Sequence, residues 1–416
     1  MGVSTVMKNR IANNDIHNSA GDVDRYKRVL ERYSNGLDCI KFLDALLLAG
    51  RSWIRIANYG YSCKRILDLK DDKPIKSWTR EDCEEIVKKF ISSDLSNATK
   101  QGHFRTLKRL VHHCKTNNLQ GGEEKYCEEI SWLTPGSFYD KHEKIQSKDL
   151  IKDTEMLAMI EAIKRKGAKH VKRNILVLYL LLDGSFRPAE LLNIKIGGIE
   201  FEDDYVRVHT TGKTGPKTLA LVTSYVPMKE WISEHPGADD PNAFLLFEDN
   251  EEGRMSYWQL WNLVKNSASK AGIKKRIWIY LFRHTSITEH VKHLGKVATV
   301  YGNWSHNSRM PQKYTHLADS DQEDAILKLH GLKSKDENYS MLFSKICPSC
   351  KEHNSADKSH CTKCGFILSK KLAQERESRR RDQTKNMETK YSKDVASLRK
   401  DYDELKQMLA KVLNEK

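Results

Sequence analysis

Between Cys347 and Cys364 the chain reads Cys-x2-Cys-x10-Cys-x2-Cys. A segment this short cannot bury a core of its own, so something other than apolar packing must fold it. Each Cys-x-x-Cys pair places two sulfurs on one side of an ion, and two such pairs suit tetrahedral zinc. The metal then supplies the folding free energy. The expected ligands are Cys347, Cys350, Cys361 and Cys364, in a zinc ribbon over residues 346–366, with zinc as a structural cofactor. The other five cysteines (Cys39, Cys63, Cys83, Cys114 and Cys127) are dispersed and read as small core residues. Dispersed thiols and the lack of a signal-like leader predict a reduced, cytoplasmic chain, associated with the nucleoid if its partner is DNA.

Lys and Arg number 71 against 56 Asp and Glu, a net charge of +15 over 416 residues. The mean hydropathy is −0.66, that of a soluble chain with a polar excess. The longest wholly apolar run, Ile175 to Leu182, is far short of the roughly 20 residues that cross a bilayer. A membrane-spanning protein is therefore not expected. The charge favours a polyanionic partner: DNA, RNA or an anionic surface.

Periodicity divides the chain. Residues 1–21 are polar and aperiodic and are expected to be disordered. Residues 22–137 carry apolar stripes at helical spacing with no alternation, which predicts a small helical bundle. Thr79 and Asp82 fit a capping box, and Ser96 fits the cap of a helix holding Phe104, Leu107, Leu110 and Val111. Lys100, Arg105, Lys108 and Arg109 fall on the other side of that helix and are candidate DNA contacts. Residues 138–150 read as a linker. A mixed domain follows over 151–330, with helical patterns near 153–165, 170–183, 224–234, 256–271, 283–294 and 309–329. Two β-like runs, Tyr205–His209 and Leu219–Val222, flank a Gly-rich tip that holds Lys213, which predicts a hairpin. In the tail, 369–416, Tyr391, Val395, Leu398, Tyr402, Leu405, Leu409 and Val412 recur in steps of four and three, the pattern of a coiled coil. The fold class read from these patterns is multidomain and mainly α: a helical bundle, an α+β domain, a small four-cysteine zinc ribbon and a C-terminal helix.

The mixed domain has no nucleotide-binding loop, no dinucleotide fingerprint and no carboxylate cluster of the metal-nuclease kind. Four segments stand out instead. They are Gly184-Ser185-Phe186-Arg187-Pro188-Ala189-Glu190, the Lys213 hairpin, Tyr280-Leu281-Phe282-Arg283-His284, and Gly302-Asn303-Trp304-Ser305-His306 followed by Tyr314-Thr315-His316. In this order they resemble the tyrosine recombinase (phage integrase, Xer-like) family in its archaeal form. The family pattern is Arg with an acidic residue three positions on, a hairpin Lys, His-x-x-Arg-His, a His or Trp, and a nucleophilic Tyr about ten residues later. It falls here on Arg187, Glu190, Lys213, Arg283, His284, Trp304 and Tyr314. Tyr280 stands where the family has the first His; a phenol is a poor base at neutral pH, and His284 is the available substitute.

The resemblance implies a SAM-like core-binding domain over 22–137 and a recombinase catalytic domain over 151–330. It implies breakage and rejoining of duplex DNA through a 3′-phosphotyrosine, in integration, excision or dimer resolution. No catalytic cofactor, metal, ATP or small-molecule substrate is expected, and family members act as homo-tetramers on synapsed sites. The residue types suit the chemistry. Guanidiniums bind the non-bridging oxygens of a pentavalent phosphorus. An ammonium can protonate the leaving oxygen. An indole N–H can donate to the phosphate. A DNA-binding relative without catalysis, prompted by Tyr280, and a relaxing enzyme of the type IB topoisomerase kind remain alternatives. Lys217, Lys296 and Lys313 read as phosphate contacts or solvent charge.

Overall fold

The computed structural model describes residues 16–119, 125–138, 145–165, 169–212, 215–250, 253–294, 298–305, 307–312, 314, 344–369 and parts of 372–399. Among them the apolar core falls into two large clusters, one built from 23–133 and one from 151–282.

The first cluster is all helical. Helices α1 (Ser19–Leu30), α2 (Gly36–Leu48), α3 (Trp53–Leu67), α4 (Arg80–Ile91), α5 (Asn97–Thr116) and the short α6 (Glu128–Ser131) enclose Leu30, Phe42, Ile56, Ile66, Trp78, Phe90 and Phe104. The predicted caps form. The Thr79 amide donates to Asp82 at 2.7 Å, and the Ser96 hydroxyl accepts from the Thr99 amide at 3.3 Å. Helix α1 begins inside the stretch expected to be disordered, and Ile16 packs against the second cluster. Residues 16–21 therefore depart from that expectation, because Ile16 and the first turn of α1 find packing partners that a polar composition does not show, while residues 1–15 lie outside the described residues.

Helix α5 is buried on more than the face its stripe predicted, including His103, Thr106, His112 and His113. His103 stacks on Phe90 at 4.7 Å and lies 3.1 Å from the Ser62 hydroxyl, while its Nε2 has no partner among the described residues. Burial, with Arg65 nearby, lowers its pKa to about 4. The unfolded chain therefore binds a proton between the ordinary histidine value and about 4 that the folded chain refuses, and stability falls on acidification through this window. At pH 5 the expected loss is about 2 kcal/mol. Urea midpoints at pH 7.5 and 5 should show it, and His103→Gln should flatten the difference.

The second cluster is α+β. Helices α7 (Asp153–Ile163) and α8 (Val171–Asp183) lead into the five-residue α9 (Pro188–Leu192). Three antiparallel strands follow in the order β1 (Ile199–Phe201), β2 (Val206–Gly212), β3 (Gly215–Leu221). Val208 pairs with Leu219 and Gly212 with Gly215, so the predicted hairpin is present and longer than expected, with an added strand before it. Helices α10 (Tyr225–Ile232), α11 (Tyr257–Lys270), α12 (Ile279–Leu294) and α13 (Thr299–Gly302) complete the unit. Helix α12 starts four residues before its predicted beginning, which puts Tyr280 and Arg283 on one helix. The 309–329 pattern is described only at 309–312 and 314. No helix of the described residues is long and apolar enough to cross a membrane.

In the tail, described residues between 372 and 399 are helical, and Val395 and Leu398 are exposed. The rest of the heptad series, Tyr391 and Tyr402 to Val412, lies outside the described residues.

Candidate active site and metal centre

The site is assembled around one carboxylate. Helix α8 ends at Asp183, and Ser185 turns the chain with φ +48°, a left-handed conformation held by its burial. Arg187 is the N-cap of α9, Pro188 its first residue. The Arg187 amide donates to Glu190 Oε2 at 2.9 Å, and its Nη1 donates to Oε1 at 2.6 Å. Arg with Glu three positions on is thus, locally, a helix start whose capping acid also grips the arginine's head.

Arg283 arrives from α12, buried. Its Nη1 donates to the Ser185 carbonyl and lies 4.0 Å from Glu190 Oε2. Its Nη2 donates to the Gly302 carbonyl at 2.7 Å, and Arg187 Nη2 donates to the same oxygen at 3.3 Å. Two guanidiniums separated by nearly a hundred residues of sequence therefore converge on one acceptor. Burial, then the charge of Arg187, pulls the Arg283 pKa down to about 10, and it remains a cation at neutral pH.

Lys217, from β3, fills the third side of Glu190, with Nζ 3.6 Å from Oε2. Burial works to protonate Glu190, but Lys217 and Arg187 outweigh it and hold the carboxyl below its usual range. Lys217 is therefore neither a solvated charge nor an open phosphate contact, as the sequence had offered. Lys296 and Lys313 lie outside the described residues. So does Lys213, the hairpin lysine; its neighbours Gly212 and Gly215 are described, and a Cβ on Gly212 would meet Glu190 Cγ at 2.5 Å. The hairpin end thus lies against the acid at the centre of the site.

Tyr314 is buried with Ile287, Val291 and Ala298. Its ring stacks on Trp304 at 5.7 Å and lies 5.7 Å from His284, and Arg283 sits 5.8 Å from the Trp304 ring. Burial raises the phenol's pKa, while the charges of Arg283 and Arg187 pull against it. His284 is lowered by burial and by Arg283, so it is neutral at pH 7 and can accept a proton. Tyr280, by contrast, is 44% exposed. Of the two side chains considered for the missing histidine, it is His284 that faces Tyr314. Arg187, Glu190, Arg283, His284, Trp304 and Tyr314 lie in one connected cluster of side chains.

The four basic residues of α5 are spread over several tasks. Lys100 donates to the Ile91 carbonyl at 2.9 Å, Lys108 to those of Ser131 and Leu133 at 3.1 and 2.6 Å, and Arg109 to the Tyr59 hydroxyl at 2.7 Å. Arg105 pairs with Gln101 and is exposed. A stripe pattern does not show this, because it places charges on a face without showing which carbonyls end nearby.

Cys347, Cys350, Cys361 and Cys364 have their sulfurs within 4.8 Å of one another, close enough to bind one metal ion. Lys351 and Gly365, each just after a knuckle, take φ +60° and +74°, which turns the chain back around the sulfurs. The Asn354 side chain donates to Cys361 Sγ at 3.6 Å and accepts the Thr362 amide at 2.8 Å. This module sits on the α+β unit. Asp357 is paired with Lys164, His353 lies 3.2 Å from Asp204, and the His353 ring meets Tyr225 edge-on at 5.7 Å.

Residues 150–323 match the phage integrase family. The chain is 25% identical over 292 residues to the tyrosine recombinase XerA of Saccharolobus solfataricus, covering 69% of this chain and 90% of that one. It is 24% identical over 273 residues to XerA of Thermococcus onnurineus, covering 64% of this chain and 82% of the relative. The crystal structure of XerH site-specific recombinase bound to palindromic difH substrate, in its post-cleavage complex, superposes with a TM-score of 0.53 at 18% identity. It covers 76% of this chain and 97% of that one, and shares its fold. The converged arginines and the buried tyrosine lie inside the matched stretch, so residues 150–323 form a phage integrase family domain.

Proposed function

We propose that this protein is a site-specific DNA recombinase that cleaves and rejoins duplex strands through a 3′-phosphotyrosine. The observation that carries this is the convergence of Arg187 and Arg283 on one acceptor oxygen beside a buried Tyr314. Two guanidiniums aimed at one oxygen form a preorganised site for the non-bridging oxygens of a phosphate. Tyr314 attacks phosphorus in line, the bond to the 5′ oxygen breaks, and Lys213 protonates that oxygen. His284 takes the phenolic proton, Trp304 donates its indole N–H to the phosphate, and Glu190 orients the arginines. The phosphotyrosine keeps the energy of the broken bond, so rejoining needs no ATP. With charge stabilised by guanidiniums, the step needs no metal.

In this reading residues 22–137 and 151–330 are the core-binding and catalytic domains, joined by the 138–150 linker. They take double-stranded DNA between them, with Lys100, Arg105, Lys108 and Arg109 of α5 toward the backbone and Arg105 the most available. The tail over 369–416 supports assembly of a homo-tetramer as a coiled coil, using Val395 and Leu398, which are exposed in the single chain. The compartment is the cytoplasm, at the nucleoid. The test is incubation with nicked suicide DNA duplexes without metal or ATP. A covalent protein–DNA adduct supports the reading. Its absence on supercoiled and linear DNA alike favours a non-catalytic DNA-binding relative.

The Cys347–Cys364 module holds zinc in the same proposal. Its folding is then coupled to the metal, and so is its contact with the α+β unit. Chelation at mildly acidic pH should release one zinc per chain and add four thiols per chain to a colorimetric titration. The Tm should fall as the Asp357–Lys164 pair is lost. Thiols that titrate equally with and without chelator would remove the assignment.

A further inference from the structure

Lys217 has no part in the chemistry just described, yet it is among the most enclosed charged groups of the structure. It lies on β3 in phase with Leu219 and Leu221, so the alternation that points those two into the core points Lys217 there too. Its Nζ donates to the Gly184 carbonyl at 3.1 Å and to the Tyr301 carbonyl at 2.7 Å. It lies 3.6 Å from Glu190 and 4.9 Å from the centre of the Phe186 ring. Tyr301 immediately precedes Gly302, whose carbonyl receives both arginines. Three cations from three separate elements therefore hold two successive carbonyls of one short turn.

We propose that Lys217 is a positioning residue that fixes the Tyr301–Trp304 turn on the α8–α9 junction, so that Arg187, Arg283 and Trp304 present one geometry to the phosphate. This rests on the recombinase reading for its effect on cleavage. The enclosure of the ammonium, with its side chain 1% exposed, separates Lys217 from the hairpin lysine, Lys213. An ammonium that donates to two chain carbonyls and faces a carboxylate is already committed and does not reach a leaving oxygen. Burial, opposed by Glu190 and reinforced by Arg283 and Arg187, lowers its pKa to about 7, and the two carbonyl bonds require its protons. In return, the positive charge beside Glu190 keeps that acid ionised to grip Arg187.

Hydrogen exchange and strand cleavage test the two halves of this role in the full-length chain. Lys217→Met keeps the bulk of the stem and removes the charge. It should speed amide exchange across 299–304, where the Asn303 and Trp304 amides now donate to Val300 and Thr299, while Lys213→Met leaves that segment unchanged. Cleavage of an ordinary phosphodiester by Lys217→Met should fall on the order of 10²-fold, the cost of a small misplacement in a preorganised site. A duplex with a bridging 5′ sulfur, whose thiolate leaves without a proton, should restore Lys213→Met and not Lys217→Met. If Lys217→Met does not fold, Glu190→Gln with Lys217→Met removes the stranded carboxylate and should show the same faster exchange. Unchanged exchange across 299–304 would overturn the proposal, and so would rescue by sulfur, which makes Lys217 the proton donor. If the wild-type chain forms no adduct with DNA, the recombinase reading fails, while the exchange result still decides whether Lys217 holds the turn.

Discussion

Replacing Tyr314 with Phe should abolish the covalent DNA adduct and lower strand cleavage on the order of 10⁵-fold or more, as loss of a nucleophile does. The phenolic oxygen is the only atom removed. The ring that packs on Ile287, Val291 and Trp304 stays, so stability should change by less than about 0.5 kcal/mol. Arg187 and Arg283 also stay, so DNA affinity should hold, and the salt dependence that phosphate contacts impose should be unaltered. The comparison is a suicide-substrate gel beside a binding titration of both proteins. An adduct that survives in Tyr314→Phe would mean that another residue attacks phosphorus, and the arrangement around Arg283 would need a different purpose.

The second large effect is on stability. Glu190 is fully buried and faces three cations, with Arg187 at 2.6 Å, Lys217 at 3.6 Å and Arg283 at 4.0 Å. Glu190→Ala leaves those cations without their counter-ion and the Arg187 amide without its acceptor. Breaking a buried pair by removing one partner typically costs about 3–5 kcal/mol. Urea unfolding should show a loss of that order, with cleavage falling on the order of 10²-fold because Arg187 is no longer gripped. Glu190→Gln keeps the shape and one acceptor oxygen and should lose less. The carboxyl is held below its usual range, so its contribution is present at neutral pH and disappears as pH falls through that lowered value. The gap between Glu190→Ala and the wild type should therefore narrow in acid. A Glu190→Ala protein as stable as the wild type would show that the three cations are satisfied without it.

Part of this was legible before any coordinates. Helical spacing placed most helices of both clusters, the Thr79 and Ser96 caps formed as read, and the Gly-rich turn marked the hairpin. The Arg187–Glu190 spacing was visible, and so was the cysteine pattern. Lys217 was also visible in principle, through its phase with Leu219 and Leu221, but a lysine defaults to solvent unless a partner is known. Its partners, two carbonyls and Glu190, come from elements well apart in the chain. The start of helix α1 at Ser19 was hidden by a polar composition, and the tasks of Lys108 and Arg109 depended on where distant carbonyls and a tyrosine end.

The sequence by itself determined which chemical groups are available and in what order, because spacing along a helix or strand sets local faces and caps, and four cysteines in two knuckles admit few other uses. Only the tertiary structure decided that one carboxylate gathers three cations, that His284 rather than Tyr280 faces Tyr314, and that the four-cysteine module leans on the α+β unit. The reason is that these outcomes depend on distances between residues far apart in the chain. Those distances are set by how the helices and strands of the α+β unit pack around its core, and desolvation then fixes which charges must meet.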